Sequence, residues 1–375
     1  MKVVERYITR EVVTAVLFVL VAFLALFAFF DLMGELKNVG RGGYQLQHAF
    51  LYVFMGLPGY AYELMPIAVL IGTIYTLAQL AARSEFTIMR AASMSTGMAG
   101  WMLMKIGFMF VLVTFLFGEV IAPATNDMAT ALKLRAQGSS ISAEFRTGLW
   151  AKDVIRQKGL SGEPVGSRFL NVKMVQPSGR LQDVKLYEFD RDFRLTGVIS
   201  AAHADYLGAN TWRLESVSET TFAGNALDNS AAVSTKSEPA RNLVSEITPD
   251  ILSVLFTDPD KMSAKDLAAY TKHLAENSQN TERYEIAFWK KMVYPFAVLV
   301  MMALALPFAY LHFRAGGVSL KIFIGIMIGV SFQLINNLFS HIGLLNTWPA
   351  LVTAVVPSLV YLLVAIGFLS WVQRH

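Results

Sequence analysis

Apolar residues in this chain gather into six long runs, with a polar block between the third and the fourth. Val12–Phe30 carries no charge. Leu64–Ala82 is also uncharged, and follows a further apolar run, Ala49–Tyr62, interrupted by Pro58 and Gly59 and closed by Glu63. The third run, about Trp101–Ala122, holds Lys105 and Glu119 near its ends. After the polar block come Met292–Leu311, Ile322–Ser340 and about Trp348–Ser370. A membrane-crossing helix needs roughly 20 mostly apolar residues. The pattern therefore predicts six spans, three on either side of one water-facing domain. Val12–Phe30 is longer than the apolar core of a signal peptide, and Asp31-Leu-Met-Gly offers no small-x-small cleavage site, so it reads as a retained span.

The polar block reads as β-structure. Leu170, Val172 and Met174 alternate with Asn171 and Lys173, and Trp212 and Leu214 alternate with Arg213 and Glu215. That two-residue period predicts strands with one apolar face. Turn-forming clusters punctuate it at Ser161-Gly-Glu-Pro164, Pro177-Ser-Gly179, Leu207-Gly-Ala-Asn210 and Asp228-Asn-Ser230. A sheet sandwich or partly open barrel follows. Ser263 and Asp266 form an S-x-x-D cap for a helix whose Leu267, Tyr270 and Leu274 share one face, and Asn277–Asn280 breaks it. The expected division is 1–123 (spans one to three), 124–262 (β-domain), 263–289 (helical connector) and 290–375 (spans four to six).

Charge sharpens this picture. Only 16% of the residues are charged, against about 25% in an average soluble domain. Residues 124–289 hold 19 Lys and Arg against 21 Asp and Glu, so the basic excess belongs to the membrane part. Positive charge flanking spans explains that excess without nucleic acid. Lys2, Arg6, Arg10, Arg83, Arg90, Arg314, Lys321 and Arg374 fall on one side of the expected spans, which places both termini in the cytoplasm and the β-domain outside. Lys37, Arg41, Lys290 and Lys291 lie on the outer side, against the bias. They are candidates for gripping anionic headgroups there, or for pairing with membrane lipids, Asp31 and Glu35.

Catalytic chemistry is thin. With no cysteine, disulfides, thiolate nucleophiles and Cys-ligated metals are excluded. No G-x-x-x-x-G-K-[ST] occurs to cradle ATP phosphates, and no H-E-x-x-H, G-x-S-x-G or S-x-x-K is present. Six scattered histidines lack ligand spacing, so neither a metal nor another cofactor is expected. Glu63, between Pro58 and Pro66, has a structural reading and a cavity-lining one. In the loop about 82–97, Arg83, Glu85, Phe86, Met89 and Arg90 fall in a stretch without breakers. It predicts a short amphipathic helix, lying on the membrane surface or inserted into a partner.

The chain as a whole resembles the LptF/LptG family, permease subunits of the lipopolysaccharide-exporting ABC transporter. The resemblance is carried by Ala81–Ser93, Gly148–Asp153, Asp258–Lys261, Arg283-Tyr284 and Trp289–Lys291. Gly148–Asp153 and the Leu57–Pro66 segment look more like the LptG branch. The family implies an α-helical membrane protein of six spans with an inserted periplasmic β-jellyroll-like domain in the bacterial inner membrane. It implies two copies of the ATPase LptB, the second permease LptF, and LptC as the next carrier of lipopolysaccharide toward the LptA bridge. The missing phosphate loop fits, and the 82–97 helix is similar to the family's coupling helix, implicating Arg83, Glu85, Phe86, Met89 and Arg90.

Lipopolysaccharide would be met by Lys37, Arg41, Glu63, Lys290 and Lys291, and by the Leu170, Val172, Met174, Trp212 and Leu214 faces inside the jellyroll. Solvating six acyl chains of about twelve carbons at ~0.8 kcal/mol per CH₂ would cost on the order of 50 kcal/mol, so the expected path is apolar. The chain departs from the pattern around Asp31–Arg41, where only Lys37 and Arg41 stand beside Asp31 and Glu35, and Gly59 takes a position that is basic in some relatives. Rival readings are the LptF subunit, a membrane-anchored envelope enzyme, and an assembly protein that uses its β-domain only to bind a partner.

Overall fold

The computed structural model describes residues 2–40, 43–92, 94–137, 148–158, 161–176, 179–223, 232–254, 258–277, 279–310 and 317–374. Among these, six helical paths are long and apolar enough to cross a membrane. The first is α1 (Lys2–Glu35) and the second α2 (Leu46–Ala82), with the short α3 (Glu85–Ala91) after it. The third runs through α4 (Thr96–Leu116) and a single π-helical turn, Phe117–Ile121, into α5 (Ala122–Gln137). Six strands follow: β1 (Leu149–Lys158), β2 (Ser161–Val175), β3 (Leu181–Asp190), β4 (Leu195–Gly208), β5 (Thr211–Ala223) and β6 (Ala232–Val244). The short α6 (Pro249–Val254) and α7 (Ala264–Glu276) lead to the fourth path. That path joins α8 (Glu282–Val293) and α9 (Ala297–Ala305) through a 3₁₀ turn at Pro295. Finally, α10 (Gly317–Leu345) and α11 (Ala350–Arg374) complete the bundle.

With the β-domain between the third and fourth of six traverses, both chain ends and α3 share one face, the terminal face. The strands occupy the other, the domain face.

One helix organises the bundle. The most apolar window of α2 is 83% buried, whereas those of α1 and α10 are 22% buried, so α2 is the centre and the others leave a face to the membrane. The run Ala49–Tyr62 is not interrupted as expected. Pro58 and Pro66 both lie inside one 37-residue helix. Each proline removes one backbone bond, and α2 has packing along most of its length to hold the helix through both. Against it, α1 presents Ile8, Val12, Val16 and Leu20 at four-residue spacing, all buried. The closest approach is at Gly72, where a Cβ would lie 2.7 Å from the Val16 Cα.

The strands form one antiparallel meander in the order β1-β2-β3-β4-β5-β6, a jellyroll-like sheet inserted between the two halves of the bundle. The Ser161–Pro164 stretch expected as a turn belongs to β2, with Pro164 opposite Arg156. Leu170, Val172, Trp212 and Leu214 are buried in the domain core. Met174 is not: it is 37% exposed, and Val175 faces inward instead. The same slip runs across the sheet, from Leu181 to Val184, from Ala201 to Ala204 and from Leu214 to Val217, each pair buried and three apart. Asp183 and Ser216, inside two of these slips, have φ of 52° and 55°. Such irregularity bends strands, and strict alternation cannot anticipate it.

Ile247 and Leu252 pack onto the apolar face, and Trp212 Nε1 donates to the Ile247 carbonyl at 2.7 Å. Only about 10 Å³ of free space remains among Leu170, Leu181, Trp212, Leu214 and their neighbours.

Gly72→Ala should force α1 away from α2. The expected loss is about 1–3 kcal/mol of stability, read as a lower unfolding midpoint of the full chain in detergent. An unchanged midpoint would mean that the two helices separate freely there.

Candidate functional site

The terminal face is built around α3, which begins after Ser84, a residue with φ of 60°. The seven-residue helix is too short to hold itself together and depends on what it touches. Phe86 is 2% exposed and meets Tyr310 edge-to-face at 5.1 Å. Met89 packs on the same cluster. Two of the expected partner-facing residues thus anchor α3 to its own bundle, because its apolar face finds α2 and Tyr310, at the end of the fourth path, first. Glu85 accepts a 2.9 Å hydrogen bond from the Tyr7 hydroxyl, and Arg83 Nη1 lies 4.0 Å from its other oxygen. The Arg90 side chain is outside the described residues. Outward from α3 point Thr87 and Ile88, the latter 66% exposed. Neither Ile88 nor Tyr7 was singled out from sequence. An apolar residue two positions after Phe86 carried a signal, whereas a tyrosine 78 positions before Glu85 carried none.

On the domain face a crevice with charged groups in its lining lies between α2, the π turn, Pro259–Lys261 and α8. It has two lobes of about 120 and 150 Å³ that share Tyr62, Glu63, Asp260 and Lys291. Its lining carries Asp31, Glu63 and Asp260 against Lys261, Lys290 and Lys291. Charge there is balanced rather than basic. Glu63 is exposed to the crevice, while its backbone carbonyl accepts from the Tyr294 hydroxyl. Lys290 pairs with Asp260 at 3.3 Å. Lys37 is exposed, in the 3₁₀ turn after α1, and Arg41 lies outside the described residues.

Lys291 is buried, and its ammonium donates to the Met262 carbonyl. Beside it, Glu119 Oε2 accepts from the Ala264 N–H at 2.8 Å. These two charged groups hold the chain on either side of Ser263, which caps α7 through the Asp266 N–H at 3.1 Å. The connector is therefore clamped to spans three and four, and a buried charge so used is costly to remove. On its other side, Lys152 of β1 donates to the Asn277 carbonyl at 3.2 Å. In the β-domain, Asp153 is buried and accepts from Ser245 Oγ at 2.7 Å, with Arg168 Nη1 at 3.5 Å. The clasp fastens β1 to the irregular segment that follows β6.

With this geometry in place, comparison with known proteins is direct. The profile of the family described as "Lipopolysaccharide export system permease LptF/LptG" matches residues 6–371. The chain belongs to the LptF/LptG family. The "Lipopolysaccharide export system permease protein LptG" of Escherichia coli (strain K12) is 28% identical over 368 residues, covering 98% of both chains. The protein of the same name from Haemophilus influenzae is 28% identical over 367 residues, again covering 98% of each. The family assignment makes this chain a multi-pass inner-membrane permease for lipopolysaccharide export.

His273, on the buried side of α7, gives the connector a pH response. Burial holds its imidazole below the ordinary range, although Glu246 and Asp153 act in the opposite sense. The unfolded state then binds the proton more readily than the folded one. Stability contributed by neutral His273 is present above the ordinary value of about 6.5 and is lost as pH falls below it. Protection factors over 264–277, with the intrinsic pH dependence of amide exchange divided out, should fall on acidification through that value, and equal protection on both sides of it would show that the ring is not held neutral.

Proposed function

We propose that the chain is the LptG-type permease of the transporter, working with two copies of the ATPase LptB, with LptF, and with LptC as acceptor. The observation that carries this reading is the end-to-end match to relatives named LptG, at 98% of both lengths. The residues support it. The chain has no phosphate-binding loop of its own, so ATP hydrolysis falls to a separate subunit and this one is not an enzyme. Arg6, Arg10, Arg83 and Lys321 gather toward the terminal face, which supports reading that face as cytoplasmic and the β-domain as periplasmic. It also puts α3 where an ATPase can reach it, presenting Ile88, Thr87 and part of Glu85.

Lipid handling divides between the two faces of the outer region. Exposed Lys37 and Lys261 and half-buried Lys290 are among the cations available to lipid phosphates, since a lysine is a mobile point charge that can release its ligand. Lys291 serves the connector. Acyl chains cannot enter the β-domain while Ile247 and Leu252 fill its apolar face, so passage through it requires that segment to move aside. A transporter whose sheet closed over empty apolar space would expose that surface to water, and the filled interior avoids this.

Native mass spectrometry of the purified complex should find this chain with one partner permease, two ATPase copies and bound lipopolysaccharide. Glu85→Lys should weaken ATPase retention or lipid-stimulated hydrolysis by roughly ten-fold or more, as expected for a charge-assisted hydrogen bond worth about 1.5–3 kcal/mol. Normal assembly together with normal stimulated hydrolysis in that variant would refute the assignment of α3.

A further inference from the structure

We propose that Tyr7 is a positioning residue that joins α3 to α1, so that displacement of α3 is carried along α1 to the domain face. The proposal rests on the reading of α3 as the ATPase-facing helix. The Tyr7 hydroxyl donates to Glu85 Oε2 at 2.9 Å. Two residues earlier, Glu5 pairs with Lys105 of α4 at 2.8 Å. The Glu85 side chain is 31% exposed, so the same carboxylate holds Tyr7 and remains open to a partner. Beneath it, Phe86 sits in the apolar cluster that contains Ile8, Val12 and Val16. Polar and apolar contacts thus fasten α3 to the start of α1.

The far end of α1 is fastened as well. Asp31 accepts from the Tyr60 hydroxyl at 2.7 Å, and Glu35 pairs with Lys133 of α5 at 3.0 Å. Asp31 and Tyr60 line the crevice. Between the two ends, residues 12–30 carry no charge. The tight crossing of Val16 on Gly72 gives the helix a fulcrum. At 1.5 Å per residue, Tyr7 lies roughly 14 Å from Val16 and Glu35 roughly 29 Å beyond it. A small push at the inner end is therefore about doubled at the outer end.

The test uses the complete reconstituted transporter. The chain has no native cysteine, so Met33→Cys places a single reporter near the outer end of α1, at a position 52% exposed. In the otherwise unaltered chain, maleimide labelling at 33 should differ between the nucleotide-free and vanadate-trapped states. Tyr7→Phe keeps the ring and loses only the hydroxyl. It should leave assembly and ATP hydrolysis largely intact, remove the nucleotide-dependent difference at 33, and lower lipopolysaccharide moved per ATP by roughly five-fold, the worth of one hydrogen bond.

Unchanged lipid per ATP in Tyr7→Phe, or a labelling difference that persists, would overturn the proposal. So would the absence of any nucleotide-dependent labelling in the unaltered chain. Glu85→Lys separates this from the reading it rests on. If that variant loses the ATPase while Tyr7→Phe has no effect, the link fails and the reading of α3 stands. If Glu85→Lys keeps a normally stimulated ATPase, the reading of α3 fails.

Discussion

A polar group carried into hydrocarbon must find its partner within the protein, because the bilayer offers none. This chain meets that constraint by confining its charged side chains largely to two bands at the ends of the spans. Between them lie apolar packing and a few local hydroxyl bonds, such as Thr76 Oγ1 to the Gly72 carbonyl at 3.0 Å. What the molecule can do follows from that division. The terminal band pairs Tyr7 with Glu85 and Glu5 with Lys105. The domain band holds Glu119, Lys290, Lys291 and Asp260 around the connector. The first path carries contacts in both, through Tyr7 and Asp31, and so does the third, through Lys105 and Glu119.

The domain band also explains how a water-facing sheet is fixed to a membrane bundle. Burying a lysine is expensive, and Lys291 is buried while Glu119 is half-buried. Here both are directed at backbone atoms of one short segment, Met262–Ala264. That segment follows the stretch after β6 that carries Ser245, Ile247 and Leu252, whose side chains close the sheet's apolar face and its Asp153 clasp. The closure of the β-domain and the ends of spans three and four are thus connected through one stretch of chain.

Much of this was legible in the amino-acid order, and the rest was not for identifiable reasons. Six spans and an inserted β-domain follow from composition and period, because the bilayer and the sheet each impose a strong, repeated pattern. The cap at Ser263 follows from local geometry. Met174 turned outward because a row of slips across four strands changes which face is buried, a collective property of the sheet. Pro58 did not break α2, since tertiary packing overrides one lost backbone bond. Lys291 looked like a headgroup ligand because its anomaly was one of position. Whether an out-of-place charge meets substrate or backbone depends on Met262, 29 positions away. The packing of Phe86 and the hydroxyl bond of Tyr7 were hidden for the same reason: their partners, Tyr310 and Glu85, are remote in sequence.

The most direct test of the account is lipopolysaccharide release from proteoliposomes that contain this chain, with and without the separate ATPase and the second permease. The expected result is ATP-dependent release only when all three are present, and no ATP hydrolysis by this chain alone. Hydrolysis by the isolated chain, or release that needs neither ATP nor the ATPase, would contradict it.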